Sequence, residues 1–174
     1  KFGGPTGAAF LYVRRQTSNS TKGLRDACPV PLAEQMADAL EFAEKNRERE
    51  VVRLTKLRDY FIAKVVTEIP GTSVNGSLEN RLANNVNVIL PIESELAVLE
   101  LDRYGIAASA GAACSSGECE DGSHVIIALG KSKEEASLSV RFSLGHDTKK
   151  GDLDCVVKQL VRIINKNKNL WQTK

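Results

Sequence analysis

The sequence predicts an α/β fold of the α+β kind, in which helices cover a small mixed sheet. Short apolar or alternating runs have the length of strands, while longer runs carry apolar residues three or four positions apart. Glycine or proline separates the two kinds of run. The predicted order is strand, helix, helix, strand, strand, helix, strand, helix, strand, helix. Such a mixture of elements places helices against one sheet.

The first third predicts one strand and two helices. Residues 8–13 read Ala-Ala-Phe-Leu-Tyr-Val after a glycine-rich turn and predict a buried strand, followed by an exposed polar loop over 16–22. The charged run 44–50 predicts a solvated helix surface between two amphipathic helices. The apolar positions of these helices are Leu32, Met36, Ala39, Leu40 and Ala43 in the first, and Leu54, Leu57, Phe61, Val65 and Ile69 in the second.

The middle of the chain predicts short strands around one helix. Residues 72–75 and 85–90 are strand candidates, and the first of them ends in an Asn-Gly turn. A helix over 93–104 is stopped by a glycine, and a brief strand over 106–108 follows it.

The last third predicts a helix, a strand and a long helix. The helix covers 123–129, the alternating strand covers 138–143, and the final helix covers about 150–167. The preceding segment 109–122 is small, polar and glycine-containing, so we expect a mobile loop there.

Composition narrows the class of protein. The chain has 174 residues, of which 42% are hydrophobic and 26% charged, which is normal for a globular protein. The net charge of +2 gives no nucleic-acid footprint, and no apolar run is long enough to span a membrane. The chain starts at a lysine without a signal sequence, and we expect a piece of a longer protein.

The four cysteines, at 28, 114, 119 and 155, fit neither a CxxC pair nor a small disulfide scaffold. We expect reduced thiols in an intracellular protein, with Cys28 and Cys155 as packing residues. Cys114 lies in the small-residue loop, where a thiol can be reached, so it is a candidate nucleophile or a tolerated loop cysteine. A metal site on Cys114, Cys119 and His124 is a third alternative.

Arg141 is the other candidate. It lies in the middle of a predicted strand and faces away from its apolar neighbours. A guanidinium there needs an anionic partner, which is either a ligand carboxylate or an acidic side chain of the protein. Lys1 before its glycine-rich turn is not diagnostic by itself.

Together, these segments resemble the C-terminal half of the pyridoxal-phosphate-dependent cysteine desulfurases, which have the class V aminotransferase fold. Residues 1–15 resemble the segment that carries the cofactor-binding lysine, and residues 84–88 resemble an asparagine-rich strand of the family. Residues 108–117, Ala-Ser-Ala-Gly-Ala-Ala-Cys-Ser-Ser-Gly, match the catalytic cysteine loop. Residues 139–145, Ser-Val-Arg-Phe-Ser-Leu-Gly, match the strand whose arginine binds the substrate carboxylate.

The resemblance implies the C-terminal part of a fold-type I pyridoxal-phosphate-dependent transferase, and a set of roles. Lys1 would bind pyridoxal 5'-phosphate and move the α-proton, Arg141 would hold the carboxylate of L-cysteine, and Cys114 would take the sulfur as a persulfide. Alanine would be released, and the sulfur would pass to an acceptor such as an iron–sulfur cluster scaffold protein. The expected setting is a homodimer in the cytoplasm or an organellar matrix, without nucleic acid, membrane or metal.

The resemblance also implies a division of the chain. Residues 1–33 would end the large cofactor-binding domain, and residues 34–174 would form the small C-terminal domain with the cysteine loop. The family's other cofactor-binding residues precede the lysine, so we expect the chain alone to be inactive without an upstream half. Residues 26–28, Asp-Ala-Cys, stand where the family usually has Gly-Thr. This departure favours a non-catalytic interaction or dimerisation module as one alternative, and a selenocysteine lyase is the alternative among enzymes.

Overall fold

The computed structural model describes residues 2–12, 29–110 and 123–171, without the side chains of 168–171. It divides into two compact units, Lys1–Glu50 and Val51–Lys174. The predicted domain boundary after residue 33 stays a prediction.

The first unit begins with an irregular segment. Residues 2–12 contain no strand, and Phe10, Leu11 and Tyr12 are exposed, with 82% of Tyr12 accessible. The prediction of a buried strand over 8–13 is therefore wrong for the described part of that segment. A strand needs a hydrogen-bonded neighbour, and no described segment pairs with this one.

A single helix, α1 (Val30–Glu68), replaces the two predicted helices. The charged run between the two apolar patterns continues the helix because its Glu, Lys and Arg residues are good helix formers. Pairs one turn apart support it, with Lys45 Nζ 2.5 Å from Glu41 Oε1 and Arg47 Nε 3.1 Å from Glu44 Oε2.

The second unit is an α/β arrangement. The elements after α1 are β1 (Ser73–Val74), β2 (Asn85–Ile89), α2 (Ser94–Asp102), β3 (Ser109–Ala110), α3 (His124–Ala128), α4 (Lys133–Ser137), β4 (Ser139–Ser143) and α5 (Lys150–Trp171). The strands form a four-stranded sheet in the order β1-β2-β4-β3. Every described strand pair is antiparallel, so the sheet is not mixed, although the predicted fold class is confirmed.

Helix α4 was not predicted, although its sequence carries a start signal. The Ser132 hydroxyl accepts a hydrogen bond from the Glu135 N–H, and the Glu135 carboxylate accepts one from the Ser132 N–H. This capping box occupies a Ser-x-x-Glu motif that precedes the helix. The helix holds the chain just before β4.

One face of the sheet packs against helices and forms the core of the second unit. The alternation of β2 and β4 buries every second side chain on this face. The buried residues are Val86, Val88, Val140 and Phe142 from the sheet, and Phe61, Val65, Ala97, Leu101, Leu153, Val157, Leu160 and Ile164 from α1, α2 and α5. The intervening side chains are consequently directed to the opposite face of the sheet. No helix within the described ranges is both long and apolar enough to cross a bilayer.

Candidate active site

Four polar side chains form a row across the face of the sheet that lies away from the helices. Asn87 of β2 is directly opposite Arg141 of β4, and Arg141 is directly opposite Ser109 of β3. Asn75 extends the row just beyond β1, since its N–H donates to the Asn87 carbonyl at 2.9 Å. Directly opposed residues lie on the same face, so the order across the sheet is Asn75, Asn87, Arg141 and Ser109.

The apolar core on the other face of the sheet determines which polar residues form this row. Val140 and Phe142 are buried, and Arg141 between them is exposed. Val86 and Val88 are fully buried on either side of Asn87. A shift of register by one residue would expose these apolar side chains to water, so the core fixes which polar residues face each other.

Within the described part of the chain, most N–H donors of the Arg141 guanidinium are left available for a ligand. Its Nη2 donates to Ser109 Oγ at 3.4 Å, which is a long hydrogen bond. Among the described residues, no carboxylate lies within ion-pair distance of Arg141. A guanidinium has five N–H donors in a planar fork that matches the two oxygens of a carboxylate.

A cleft of about 720 Å³ lies over the row. Its described lining contains two arginines, Arg81 and Arg141, and neither Asp nor Glu. His124, the first residue of α3, lines another part of it. The described walls therefore favour an anionic ligand on electrostatic grounds.

Arg81 holds one wall of this cleft in place. Its guanidinium donates to the carbonyls of Ser77 at 2.9 Å, Asn85 at 3.4 Å and Asn75. Burial, together with the neighbouring Arg58, lowers the pKa of Arg81 below its ordinary value. The segment between β1 and β2 is thus tied back onto the sheet at both ends.

Of the three predicted site residues, the structure describes one. Arg141 lies in the polar row, whereas Lys1 and Cys114 lie outside the described residues, as do Cys28 and Cys119. Their predicted roles stay predictions.

Two further predicted residues lie in the described part. His124 lines the cleft, and the described residues contain no group of three His, Cys, Asp or Glu side chains that could hold a metal ion. Cys155 is exposed on α5, so its predicted packing role is wrong. The buried face of α5 follows Leu153, Val157 and Leu160, and position 155 falls outside this spacing.

Sequence reasoning missed the partners of Arg141. Asn85 and Asn87 alternate with buried valines, which indicates that they share the polar face of β2. The sequence pattern does not reveal the strand order, so it could not place Asn87 next to Arg141. Ser109 and Asn75 lie near strand ends, where the pattern is shortest.

Comparison with known proteins identifies relatives that align with nearly the whole chain. No family model matches the chain. The chain is 38% identical to "Cysteine desulfurase IscS" of Dictyoglomus turgidum over 179 residues, which covers 95% of this chain and 44% of that protein. It is 36% identical to "Cysteine desulfurase IscS 1" of Archaeoglobus fulgidus over 177 residues, which covers 96% of this chain and 46% of the relative.

Solved structures show the same fold. A NifS-like protein superposes with a TM-score of 0.71 at 22% identity, covering 94% of this chain and 44% of that one. A NifS-like protein from Rickettsia africae superposes with a TM-score of 0.66 at 22% identity, covering 85% and 38% respectively.

Over at least 95% of its length the chain is similar to proteins named as cysteine desulfurases, and it corresponds to the C-terminal part of these relatives. It spans a little less than half the length of these curated relatives, 44% and 46% in the two cases above.

Proposed function

We propose that the intact protein carrying this sequence is a cysteine desulfurase, which converts L-cysteine into L-alanine and retains the sulfur as a persulfide on Cys114. The observation that carries the proposal is the alignment of 95% of the chain with a relative named as a cysteine desulfurase. Because the chain spans under half of that relative, the activity is a property of the intact protein.

The described geometry supports a role for Arg141 in substrate binding. Its guanidinium lies on the floor of a cleft whose described lining has no acidic residue. Arginine binds carboxylates through two parallel hydrogen bonds, which fix the orientation of the bound group as well as its position. Arg141 would therefore hold the carboxylate of L-cysteine.

The chemistry of these donors also fits the anionic cofactor expected for the family, pyridoxal 5'-phosphate, with Lys1 as the residue that binds it. The described cleft offers guanidinium, amide and hydroxyl groups to negatively charged ligands. When bound, this cofactor supplies an electron sink that weakens the bonds around the α-carbon of an amino acid.

The chain's own residues would divide the remaining work. The Lys1 amine would move the α-proton as a general base and acid. The Cys114 thiolate would attack the substrate sulfur, so that a sulfur–sulfur bond forms while the carbon–sulfur bond breaks. The electron pair of the broken bond would stay on carbon and take up a proton, which yields alanine.

The persulfide would then be transferred to a sulfur-acceptor protein, for which an iron–sulfur cluster scaffold is our candidate. We propose a homodimer as the working form and the cytoplasm or an organellar matrix as its location.

Alanine release tests the function. The intact protein is incubated with pyridoxal phosphate and L-cysteine, and L-alanine is measured for the unaltered protein, Cys114→Ser and Cys155→Ser. We expect alanine from the unaltered protein and from Cys155→Ser, whose exposed thiol serves as the matched control. Unchanged alanine release by Cys114→Ser would refute the role of Cys114 as the nucleophile. Turnover of L-selenocysteine but not L-cysteine would instead identify a selenocysteine lyase.

A further inference from the structure

We infer that Asn87 is a second hydrogen-bond donor to the carboxylate that Arg141 binds, and that Asn75 sets the direction in which the Asn87 side-chain amide points. This inference rests on the proposed function and adds two residues to its substrate site.

The Glu135 backbone carbonyl can only accept hydrogen bonds. The Ser139 hydroxyl lies 2.7 Å from the Glu135 carbonyl oxygen and must donate its single hydrogen there. Toward any other group Ser139 Oγ is therefore an acceptor. Its neighbour at 2.9 Å is Asn75 Nδ2, so Asn75 presents its NH₂ group to Ser139.

The second hydrogen of the same NH₂ group fixes the next side chain. Asn75 Nδ2 donates to Asn87 Oδ1 at 2.8 Å. Asn75 and Ser139 are 3% and 2% exposed, so bulk water does not compete for these bonds. Asn75 Oδ1 is buried and has no hydrogen-bond partner among the described residues. The orientation of the Asn75 amide is therefore set by the two hydrogen bonds that its NH₂ group donates.

Asn87 therefore has its oxygen toward the Asn75 amide, which leaves the Asn87 NH₂ group free to donate elsewhere. Arg141 is directly opposite Asn87 across β2 and β4, and we infer that the NH₂ group is directed toward it. Side chains opposed in this way have Cβ atoms roughly 5 Å apart. The Asn87 amide and the Arg141 guanidinium thus present N–H donors side by side in the cleft, which both residues line.

Two adjacent donor groups suit one carboxylate. Each carboxylate oxygen has two lone pairs, so the Arg141 fork leaves acceptor capacity for a neighbouring N–H. A bound carboxylate would satisfy both groups, while a ligand that lacks it would leave the Asn87 amide without an acceptor. Asn87 therefore contributes to the preference for an amino acid over the corresponding amine.

Kinetics and binding on the intact protein test this inference. KM and kcat for L-cysteine are measured together with calorimetric dissociation constants for L-alanine, which has a carboxylate, and cysteamine, which has none. For Asn87→Ala we expect KM and the L-alanine dissociation constant to rise about tenfold, as for loss of a hydrogen bond to a charged group. The cysteamine dissociation constant and kcat should stay near their original values.

An isosteric variant tests the inference even if the Asn87→Ala substitution disturbs the sheet. Asn87→Asp can still accept the hydrogen bond from Asn75, but it replaces the donor with a negatively charged acceptor beside Arg141. We expect a larger rise in KM than for Asn87→Ala. Asn84→Ala, one residue before β2 and outside the cleft lining, is the matched control and should leave KM unchanged.

A double-mutant cycle tests Asn75 as a positioning residue. Asn75→Ala should raise KM in the unaltered background and have no additional effect in the Asn87→Ala background, because Asn75 acts through Asn87. A purely structural role would raise KM equally in both backgrounds, and this result would overturn the role of Asn75.

These measurements distinguish a failure of the proposed function from a failure of the role of Asn87. A cofactor-loaded protein that binds neither L-cysteine nor L-alanine overturns the proposed function and this inference with it. A protein that converts L-cysteine and loses L-alanine binding in Arg141→Ala, but keeps an unaltered KM in both Asn87 variants, overturns this inference alone.

Discussion

The rings of Phe61 on α1 and Phe142 on β4 meet edge to face, with centroids 5.3 Å apart and planes at 88°. Phe142 is the chain neighbour of Arg141, so this contact supports the strand directly beneath the candidate substrate site. Edge-to-face contact brings the positive edge of one ring against the negative face of the other. The core and the site are therefore coupled through adjacent residues on opposite faces of β4.

Phe61→Ala should destabilise the protein by about 3 to 5 kcal/mol, because Phe61 is fully buried and the truncation leaves a cavity. Phe61→Leu retains most of the buried volume and should mainly lose the ring contact, worth about 1 kcal/mol. Chemical denaturation measures both. A Phe61→Leu variant as stable as the unaltered protein would contradict the edge-to-face contribution.

Arg141→Lys should raise KM for L-cysteine much more than it lowers kcat. Lysine keeps the positive charge but loses the planar fork that makes two parallel bonds to a carboxylate, so an increase of about tenfold or more is expected. Steady-state kinetics measure this increase. Arg103→Lys is the control, since Arg103 is a surface residue that pairs with Glu100. An unaltered KM in Arg141→Lys would exclude bidentate binding.

Arg53 ties the loop after β4 to α1. Its guanidinium donates to three backbone carbonyls, those of Gly145 at 3.0 Å, His146 at 2.8 Å and Thr148 at 2.8 Å. A lysine cannot reproduce this geometry, so Arg53→Lys should cost about 1 to 2 kcal/mol of unfolding free energy. Chemical denaturation of Arg53→Lys measures this loss, and Arg162→Lys, at an exposed arginine of α5, is the control. Equal stabilities of the two variants would contradict the stabilising role of Arg53.

Asp154 links α5 to α1 and gives the stability an acid dependence. Hydrogen bonds from Lys64 Nζ and Tyr60 Oη, each 2.5 Å from Asp154 Oδ1, lower the pKa of the Asp154 carboxyl below its ordinary value. A carboxyl with a lowered folded-state pKa stabilises the fold above its unfolded pKa of about 4. This contribution is lost as the pH falls from that value through the folded pKa.

Asp154→Asn should therefore lower the melting temperature at neutral pH, and the difference from the unaltered protein should shrink below about pH 4. Melting curves between neutral and acidic pH measure it, with Asp102→Asn at the exposed end of α2 as the control. A difference that is constant across the acid range would show that the ionised carboxylate is not responsible.

Sequence patterns predicted much of the second unit, although β3 lies at Ser109–Ala110 and not over the predicted 106–108. The alternation of buried valines located β2, and the glycine after α2 located its end, because burial and backbone conformation act locally there. Gly105 adopts φ +70°, which is favourable for glycine and strained for other residues. The patterns failed over residues 8–12, since the strand prediction depends on a pairing partner that local sequence does not encode.

The candidate site was only partly predictable for a similar reason. The motif around Arg141 identified that residue, but its neighbours depend on strand order and register. Asn75 is 12 positions from Asn87 and 64 from Ser139 along the chain, and only the folded sheet brings them together. The predicted roles of Lys1 and Cys114 depend on the resemblance of the surrounding motifs to those of the family.

The most direct test of the proposed function is to locate the sulfur after the reaction. The intact, cofactor-loaded protein is treated with L-cysteine, thiols and persulfides are trapped, and tandem mass spectrometry examines the peptides that contain the four cysteines. We expect one additional sulfur atom on Cys114 and none on Cys28, Cys119 or Cys155. Release of alanine with the sulfur on another cysteine, or on none, would contradict it.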